Sequence, residues 1–410
     1  MRFELGVTRA PARILFGAGQ RRALGAVAAE LGVRVLVCTD SRFAALPIMD
    51  EILADLSVHG LTAQVFSETQ AELPVEGVHA CLARYRAFDP DVIVGLGGGS
   101  CLDLAKIVSL LLTHDGLVST YYGEFKVPGP VRPLILVPTT SGTGSEVTPV
   151  AVLADPERAM KVGISSPHLI PNTAICDPEL TLSCPPELTA ISGADALAHA
   201  IEAFAAVTRD PSPDLALTRV FVGKNVLSDQ YACSAIRLIF EWLPTAVSDG
   251  RNIDARSGLM LASTLAGLAF GTAGTAAAHA IQYPIGALTH TAHGLGVGVL
   301  LPYTMAYNAP EADKEYSQIA DLVGARGDNR AQAAIDAVRA LFEKIGLPDN
   351  LAALGLAGKD VDWAAEHAML ATRLVENNPR RLDQQAVAGI INRALAGSMT
   401  RELEHQSAAR

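Results

Sequence analysis

Asp91–Lys106 reads DVIVGLGGGSCLDLAK: an apolar run ending at Leu96, three consecutive glycines, and a helix expected to begin near Ser100. At such a strand-to-helix turn the first N–H groups of the helix lack partners and the helix dipole is positive, so an anion is attracted to it. Gly97, Gly98 and Gly99 would let a pyrophosphate approach the backbone, with Ser100 at its side. A tight turn without any ligand would read the same way. The segment does not follow the GxGxxG dinucleotide fingerprint, and no acidic residue closes a second strand about 20 residues later. Asp103 and Lys106, three apart on the helix, read as an ordinary surface pair.

Working outward, the first half of the chain alternates short β-branched runs (Arg13–Phe16, Arg34–Thr39, Thr62–Phe66, Asp91–Leu96, Pro133–Val137) with helical stretches (Arg21–Leu31, Met49–His59, Val75–Phe88). That order predicts an α/β domain with a largely parallel sheet covered by helices. After Cys184-Pro185-Pro186 the pattern becomes Ala/Leu-rich with helical periodicity up to Met399. The expected division is an α/β domain over residues 1–184 and an all-α domain over 185–410, the tail from Thr400 to Arg410 fraying.

Two further features lie at the expected strand ends. After Val137 comes PTTSGTGSEVTP, whose hydroxyls at Thr139, Thr140, Ser141, Thr143 and Ser145 offer hydrogen bonds to a polar ligand. Open α/β sheets bind ligands at the carboxyl ends of their strands, so two such turns together are better evidence than either alone. Asp40 ends the run VRVLVCTD. A carboxylate there would accept from a ribose hydroxyl and repel a 2′-phosphate, favouring NAD over NADP; equally, it would cap a helix starting near Ser41.

In the second half, His279–Gly294 reads HAIQYPIGALTHTAHG and places three imidazoles in nearly uncharged surroundings. Buried imidazoles need coordination or hydrogen bonds, so a metal site is the first hypothesis. Upstream, GADALAHAIEAF sets Asp195 and His199 four apart, on one face of a helix. Between Gly258 and Leu288 there is no Asp, Glu, Lys or Arg, a run long enough to suggest a membrane span. Its Ala, Gly, Ser and Thr content, with His279 and Gln282 inside it and no flanking basic cluster, favours the buried centre of a helical domain.

Composition narrows the function. With 410 residues, 50% of them hydrophobic, and a net charge of −11, the chain has ample core material and no basic run for nucleic acid. A small-molecule substrate is expected, and no membrane partner. The six scattered cysteines form no CxxC pair and read as buried apolar residues of a cytoplasmic protein. The N-terminal MRFELGVTRAPARILFG lacks a signal-peptide core.

Taken together, GGGSCLDLAK, PTTSGTGSE, the isolated Lys161, GADALAHAIEAF and HAIQYPIGALTHTAHG resemble the iron-containing (group III) alcohol dehydrogenase family, from about Ile14 to the NNPR segment ending at Arg380. The resemblance implies a dehydroquinate synthase-like architecture: a nucleotide-binding α/β domain, a helical domain, and an active site in the cleft between them. It implies metal ligands at Asp195, His199, His279 and His293, with Fe(II) expected and Zn(II) chemically acceptable. For the cofactor NAD it implies Asp40, Gly97, Gly98, Gly99, Ser100, Thr139, Thr140, Ser145 and Lys161. The family's last ligand directly precedes glycine, here Gly294, which leaves His290 to the loop or to a supporting position. Glu202 reads as a supporting carboxylate or as a solvated one.

One departure matters. Many members carry a second histidine four residues after the third ligand, where this chain has Tyr283. A phenol of pKa about 10 donates hydrogen bonds but is a poor base at neutral pH. Tyr283 and Lys161 are the candidate catalytic side chains, and Val150 and Phe270 the candidate pocket walls. The expected reaction is hydride transfer between a small alcohol, or its aldehyde or ketone, and NAD(H), with the metal acting on the alcohol oxygen. The tyrosine also resembles the hydroxyacid-oxoacid transhydrogenase branch, which retains its nicotinamide; a dehydroquinate-synthase-like lyase is the remoter alternative. A homodimer is the family habit.

Overall fold

The computed structural model describes residues 5–158 and 160–397, so the tail expected to fray lies outside the described residues. Among the described residues nine strands lie between Arg13 and Cys176: β1 (Arg13–Phe16), β2 (Arg34–Cys38), β3 (Thr62–Phe66), β4 (Val92–Gly97), β5 (Gly123–Glu124), β6 (Leu134–Pro138), β7 (Val150–Asp155), β8 (Met160–Ser165) and β9 (Thr173–Cys176). Between them run α1 (Leu24–Ala29), α2 (Ser41–Ala44), α3 (Pro47–Val58), α4 (Val75–Tyr85) and α5 (Gly99–Thr113). The main sheet has the order β1-β9-β6-β4-β2-β3 and every pairing in it is parallel. Its central strands are buried on both faces, which is why they read as unbroken apolar runs. Their side chains alternate: Leu36, Ile93 and Leu136 join a core under α4 and α5, while Val35, Val37, Val94 and Val137 join one under α1 and α3.

The strand order reverses between β2 and β4, and at such a switch point a crevice opens beyond the carboxyl ends of the strands. Asp40 follows β2, the glycine turn follows β4 and the hydroxyl turn follows β6. Gly97 has φ 152°, and a side chain there would bring Cβ within 2.6 Å of Cys101 Sγ. Thr139 N donates to Gly97 O at 2.9 Å, so these two residues tie the turns to each other.

The sequence reading placed five strands and missed β7 to β9 and the short β5. The antiparallel β7–β8 hairpin pairs Val150 with Ser165 and packs over α5, and this overturns the expectation for Asp103 and Lys106. Asp103 is half-buried in the cavity wall and not on a solvated helix face. Lys106 is completely buried, and its Nζ donates to Ser145 Oγ (3.0 Å), Thr148 O (2.9 Å), Thr148 Oγ1 (3.2 Å) and Val150 O (2.7 Å). Asp103 accepts from Ser145 Oγ at 2.6 Å and from Val152 N at 2.9 Å. Burial pulls the lysine down to about 8 and pushes the aspartate above its ordinary value, yet their mutual attraction and these bonds hold the pair in place. The pair fastens the hydroxyl turn and the hairpin to α5.

From Pro186 onward the described elements are helices: α6 (Pro186–Phe204), α7 (Leu215–Thr218), α8 (Val226–Ser248), α9 (Ile253–Ala273), α10 (Ala277–Thr289), α11 (His293–Asn308), α12 (Asp313–Leu322), α13 (Arg330–Lys344), α14 (Val361–Ala368), α15 (Thr372–Asn377) and α16 (Gln384–Ala396). Alanines on α6, α8 and α9 let these helices approach closely around one large apolar core. Among the described residues no single helix is long and apolar enough to cross a membrane; the uncharged run is divided between α9 and α10, which meet at 100°. The bend is secured from outside, since Asn377 Nδ2 donates to Ala273 O and Thr275 O at 3.0 and 3.1 Å.

The strand ends and the helices meet at Gly144. It has φ 58°, and an added Cβ would lie 2.5 Å from Gly267 Cα on α9. Gly144→Ala combines a strained backbone with a clash against helix backbone, so the expected effect is a loss of about 2–4 kcal/mol. In a thermal melt that appears as a fall of several degrees in Tm, and an unchanged Tm would show that the two surfaces part at little cost.

Candidate active site between the strand ends and the helices

Asp195 and His199 stand one turn apart on α6, His279 lies in the first turn of α10, and His293 opens α11. Asp195 Oδ1 lies 3.9 Å from His199 Nε2, 3.6 Å from His279 Nε2 and 3.9 Å from His293 Nε2. Gly294 makes that approach possible, because a Cβ there would meet Ile191 O of α6 at 2.7 Å. Asp195, His199 and His279 are buried, and each offers a ligand atom within 4.8 Å of the others. Asp195 Oδ1 and His279 Nε2 are buried without a hydrogen-bond partner. Donor atoms around an ion bound at 2.0–2.2 Å stand roughly 3.4 Å apart in a tetrahedral arrangement, close to the separations here. One carboxylate oxygen facing three imidazole nitrogens therefore fits a divalent cation.

Charge reinforces this. Burial would raise Asp195, but the three imidazoles outweigh it and hold its carboxyl well below the usual carboxylate range. Burial lowers His199 to about 4 and pushes His293, which also faces the Lys161 ammonium, well below its ordinary value. Both are neutral and have a free electron pair to offer. His279 is raised to about 9 in spite of burial, because Glu202 and Asp195 flank its two nitrogens.

Glu202 is not solvated: it is buried, and its Oε2 accepts from His279 Nδ1 at 2.6 Å and from Ala276 N at 2.8 Å, while Oε1 accepts from Ala278 N at 2.6 Å. One carboxylate from α6 thus satisfies free N–H groups at the start of α10 and fixes the tautomer of His279 with Nε2 towards Asp195. His290 has no part in the cluster; it is exposed and terminates α10 in the left-handed conformation, φ 55°.

The cluster opens on a cavity of about 410 Å³ that reaches back to the strand ends. Of the expected cofactor residues, Asp40, Gly98, Gly99, Ser100, Thr140, Ser145 and Lys161 line it; Gly97 and Thr139 lie behind the turns as their staple. The N–H groups of Gly99 and Ser100 open α5 and have no intrahelical partner. Asp40 does cap a helix, Oδ1 accepting from Phe43 N at 2.8 Å, and its side chain lines the cavity as well. Lys161 is paired with Glu72. Val150 and Phe270 form walls near the cluster, the Phe270 ring stacked on His199 at 4.2 Å. Tyr283 stands one turn beyond His279 with its ring 6.0 Å from that of His293. Burial raises its pKa, so the phenol keeps its proton at neutral pH. The sequence reading missed Phe221, Ser192 and Arg373, which also line the cavity. Ser192 lies on α6, Arg373 on α15 and Phe221 in the segment between α7 and α8, and only the packing of these parts brings them together.

Known proteins resemble this chain over nearly its whole length. Residues 11–178 match the family model for iron-containing alcohol dehydrogenase, and residues 189–395 match the model for the C-terminal part of the Fe-containing alcohol dehydrogenase family. Sulfoacetaldehyde reductase from Bilophila wadsworthia is 32% identical over 88% of this chain and 91% of its own length. The crystal structure of a 1,3-propanediol oxidoreductase superposes with a TM-score of 0.88 at 32% identity, covering 95% of this chain and 100% of that one. A sulfoacetaldehyde reductase from Bifidobacterium kashiwanohense, solved in complex with NAD+, gives a TM-score of 0.82 at 28% identity over 95% and 98% of the two chains. The chain belongs to the iron-containing alcohol dehydrogenase family, oxidoreductases that act on alcohols and aldehydes.

Proposed function

We propose that this chain is an NAD(H)-dependent dehydrogenase interconverting a small alcohol and its aldehyde or ketone, with residues 1–184 as the nucleotide domain and 185–410 as the metal domain. The observation that carries the reading is the unpartnered Asp195 Oδ1, faced by three imidazoles at one end of the cavity whose other end is the glycine turn. Asp195, His199, His279 and His293 would hold a divalent ion, in the first instance Fe(II), which would supply a Lewis acid for the substrate oxygen. Gly98, Gly99 and Ser100 would take the diphosphate of NAD(H), the hydride carrier of the reaction.

The side chains of this chain do the rest. Glu202 keeps the Nδ1 proton of His279 and so aims Nε2 at the site. Phe270 and Val150 exclude water from the reacting centre, and Tyr283 donates a hydrogen bond from its protonated phenol. Lys161, steered by Glu72, places an ammonium beside His293 at the nicotinamide end. Six unpaired cysteines, five of them buried, suit a cytoplasmic setting, and the family resemblance suggests a homodimer.

Purified protein reconstituted with Fe(II) under anaerobic conditions is expected to oxidise NADH with short aldehydes and to lose that activity to a chelator. If turnover appears only when a hydroxy acid and an oxo acid are supplied together, with no net NADH change, the enzyme is a transhydrogenase instead. For coenzyme choice, Asp40→Ser keeps a helix cap while removing the charge, and leaves the exposed Arg42 free to meet a 2′-phosphate. The kcat/KM ratio of NADPH to NADH is expected to rise at least about tenfold; an unchanged ratio would remove Asp40 from coenzyme selection.

A further inference from the structure

The cavity holds one cation that neither the cofactor turns nor the metal cluster accounts for. Arg373 projects from α15, which packs on α10 through Ala371, Leu374 and Ala280 against Tyr283. It lines the same cavity as Tyr283, His279 and Phe270. Its guanidinium lies over the Phe221 ring, 4.1 Å from the centroid, and its Nη1 is buried with no hydrogen-bond partner among the described residues.

The other cations of the cavity are differently placed. Lys161 is neutralised by Glu72, and Arg42 is exposed beside Asp40 at the dinucleotide end. Lys106, behind the wall, is saturated by its bonds to Ser145, Thr148 and Val150. The acids near Arg373 are engaged as well. Glu202 is fully occupied by His279 and two backbone N–H groups, and Glu124 Oε2 accepts from Val220 N at 2.7 Å. A half-buried guanidinium that lies over an aromatic ring and keeps one buried donor, Nη1, without a partner is costly in a resting protein and well built to take an oxyanion.

We propose that Arg373 is a substrate-recognition residue, and that the natural substrate is a short aldehyde, or its alcohol, bearing a carboxylate, sulfonate or phosphonate at the end remote from the carbonyl. The inference rests on the alcohol/aldehyde reading of the site given above and narrows it from neutral to anionic substrates. With the carbonyl at the His279 end, the anion meets the Arg373 fork while Phe270 and Val150 enclose the carbon chain between. A hydroxyl in place of the anion, or a methyl group, leaves the guanidinium unpaired and is discriminated against.

The test is the NADH-dependent reduction of 4-oxobutanoate, sulfoacetaldehyde and phosphonoacetaldehyde, each compared with a neutral aldehyde of matching length, by wild type, Arg373→Met and Arg373→Lys. Wild type is expected to favour at least one anionic aldehyde by about 30-fold or more in kcat/KM, and the favoured arm identifies the oxyanion. Arg373→Met should collapse that ratio towards unity, mainly through KM, and Arg373→Lys should restore part of it. The restoration separates charge recognition from structural damage, and should the methionine variant fail to fold, a smaller ratio in Arg373→Lys than in wild type carries the test. A wild-type ratio near unity for all three anions, or the same ratio in the variants, overturns the inference and leaves the dehydrogenase reading intact. If wild type reduces no aldehyde of either kind, that reading fails and the inference with it.

Discussion

A carboxylate buried among imidazoles is the constraint on which the helical half of this protein turns. Ionising Asp195 in the interior is opposed by desolvation, and its Oδ1 has no hydrogen-bond donor to offset the loss. His199 and His293 are themselves pushed towards neutrality by burial, while His279, raised to about 9 between Glu202 and Asp195, helps to hold the carboxylate ionised. Imidazole nitrogens converging on one unpartnered carboxylate oxygen make a place for a divalent cation. The surroundings are organised for that end: α6 presents two groups one turn apart, the 100° break between α9 and α10 turns His279 inward, and Gly294 lets α11 close upon α6.

The site depends equally on two supporting networks that carry no part of the chemistry. Glu202 joins α6 to the first turn of α10 and sets the orientation of His279, so one side chain serves both helix capping and ligand geometry. On the other side of the cleft, Lys106 and Asp103 bind the hydroxyl turn and the β7–β8 hairpin to α5, which fixes the cofactor-side wall relative to the glycine turn. Gly144 against Gly267 then sets the distance between the two walls. The cavity of about 410 Å³ between these walls has the Asp195 cluster at one end and the glycine turn at the other, with the guanidinium of Arg373 in its lining.

Much of this was legible in the chain. The apolar runs of β2, β4 and β6 announced a buried parallel sheet, and spacing alone put Asp195 and His199 on one helix face. The ligand set and the fate of His290 came from the family resemblance; the structure gathers Asp195, His199 and His279 in one buried cluster, sets His293 Nε2 3.9 Å from Asp195 Oδ1, and leaves His290 exposed outside it. Other features were legible only in three dimensions. Asp103 and Lys106 have the spacing of a surface ion pair, and their burial is imposed by a hairpin contributed from about fifty residues away. The pattern of that hairpin, VAVLADPERAMKVGIS, is interrupted by alanines and charges and carries a weak strand signal. Glu202 remained ambiguous because a glutamate on a helix declares nothing about which face is covered. Arg373 was invisible for a related reason, since its importance lies in partners that it lacks.

The central claim is that the Asp195 cluster holds a divalent metal. Elemental analysis of the purified chain, wild type and Asp195→Asn, after anaerobic loading with Fe(II) or Zn(II) and removal of the excess, tests it most directly. Stoichiometric metal in the wild type and its loss in the variant, with the fold unchanged by circular dichroism, is the predicted result. Equal metal in both proteins, or none in either, would contradict the account.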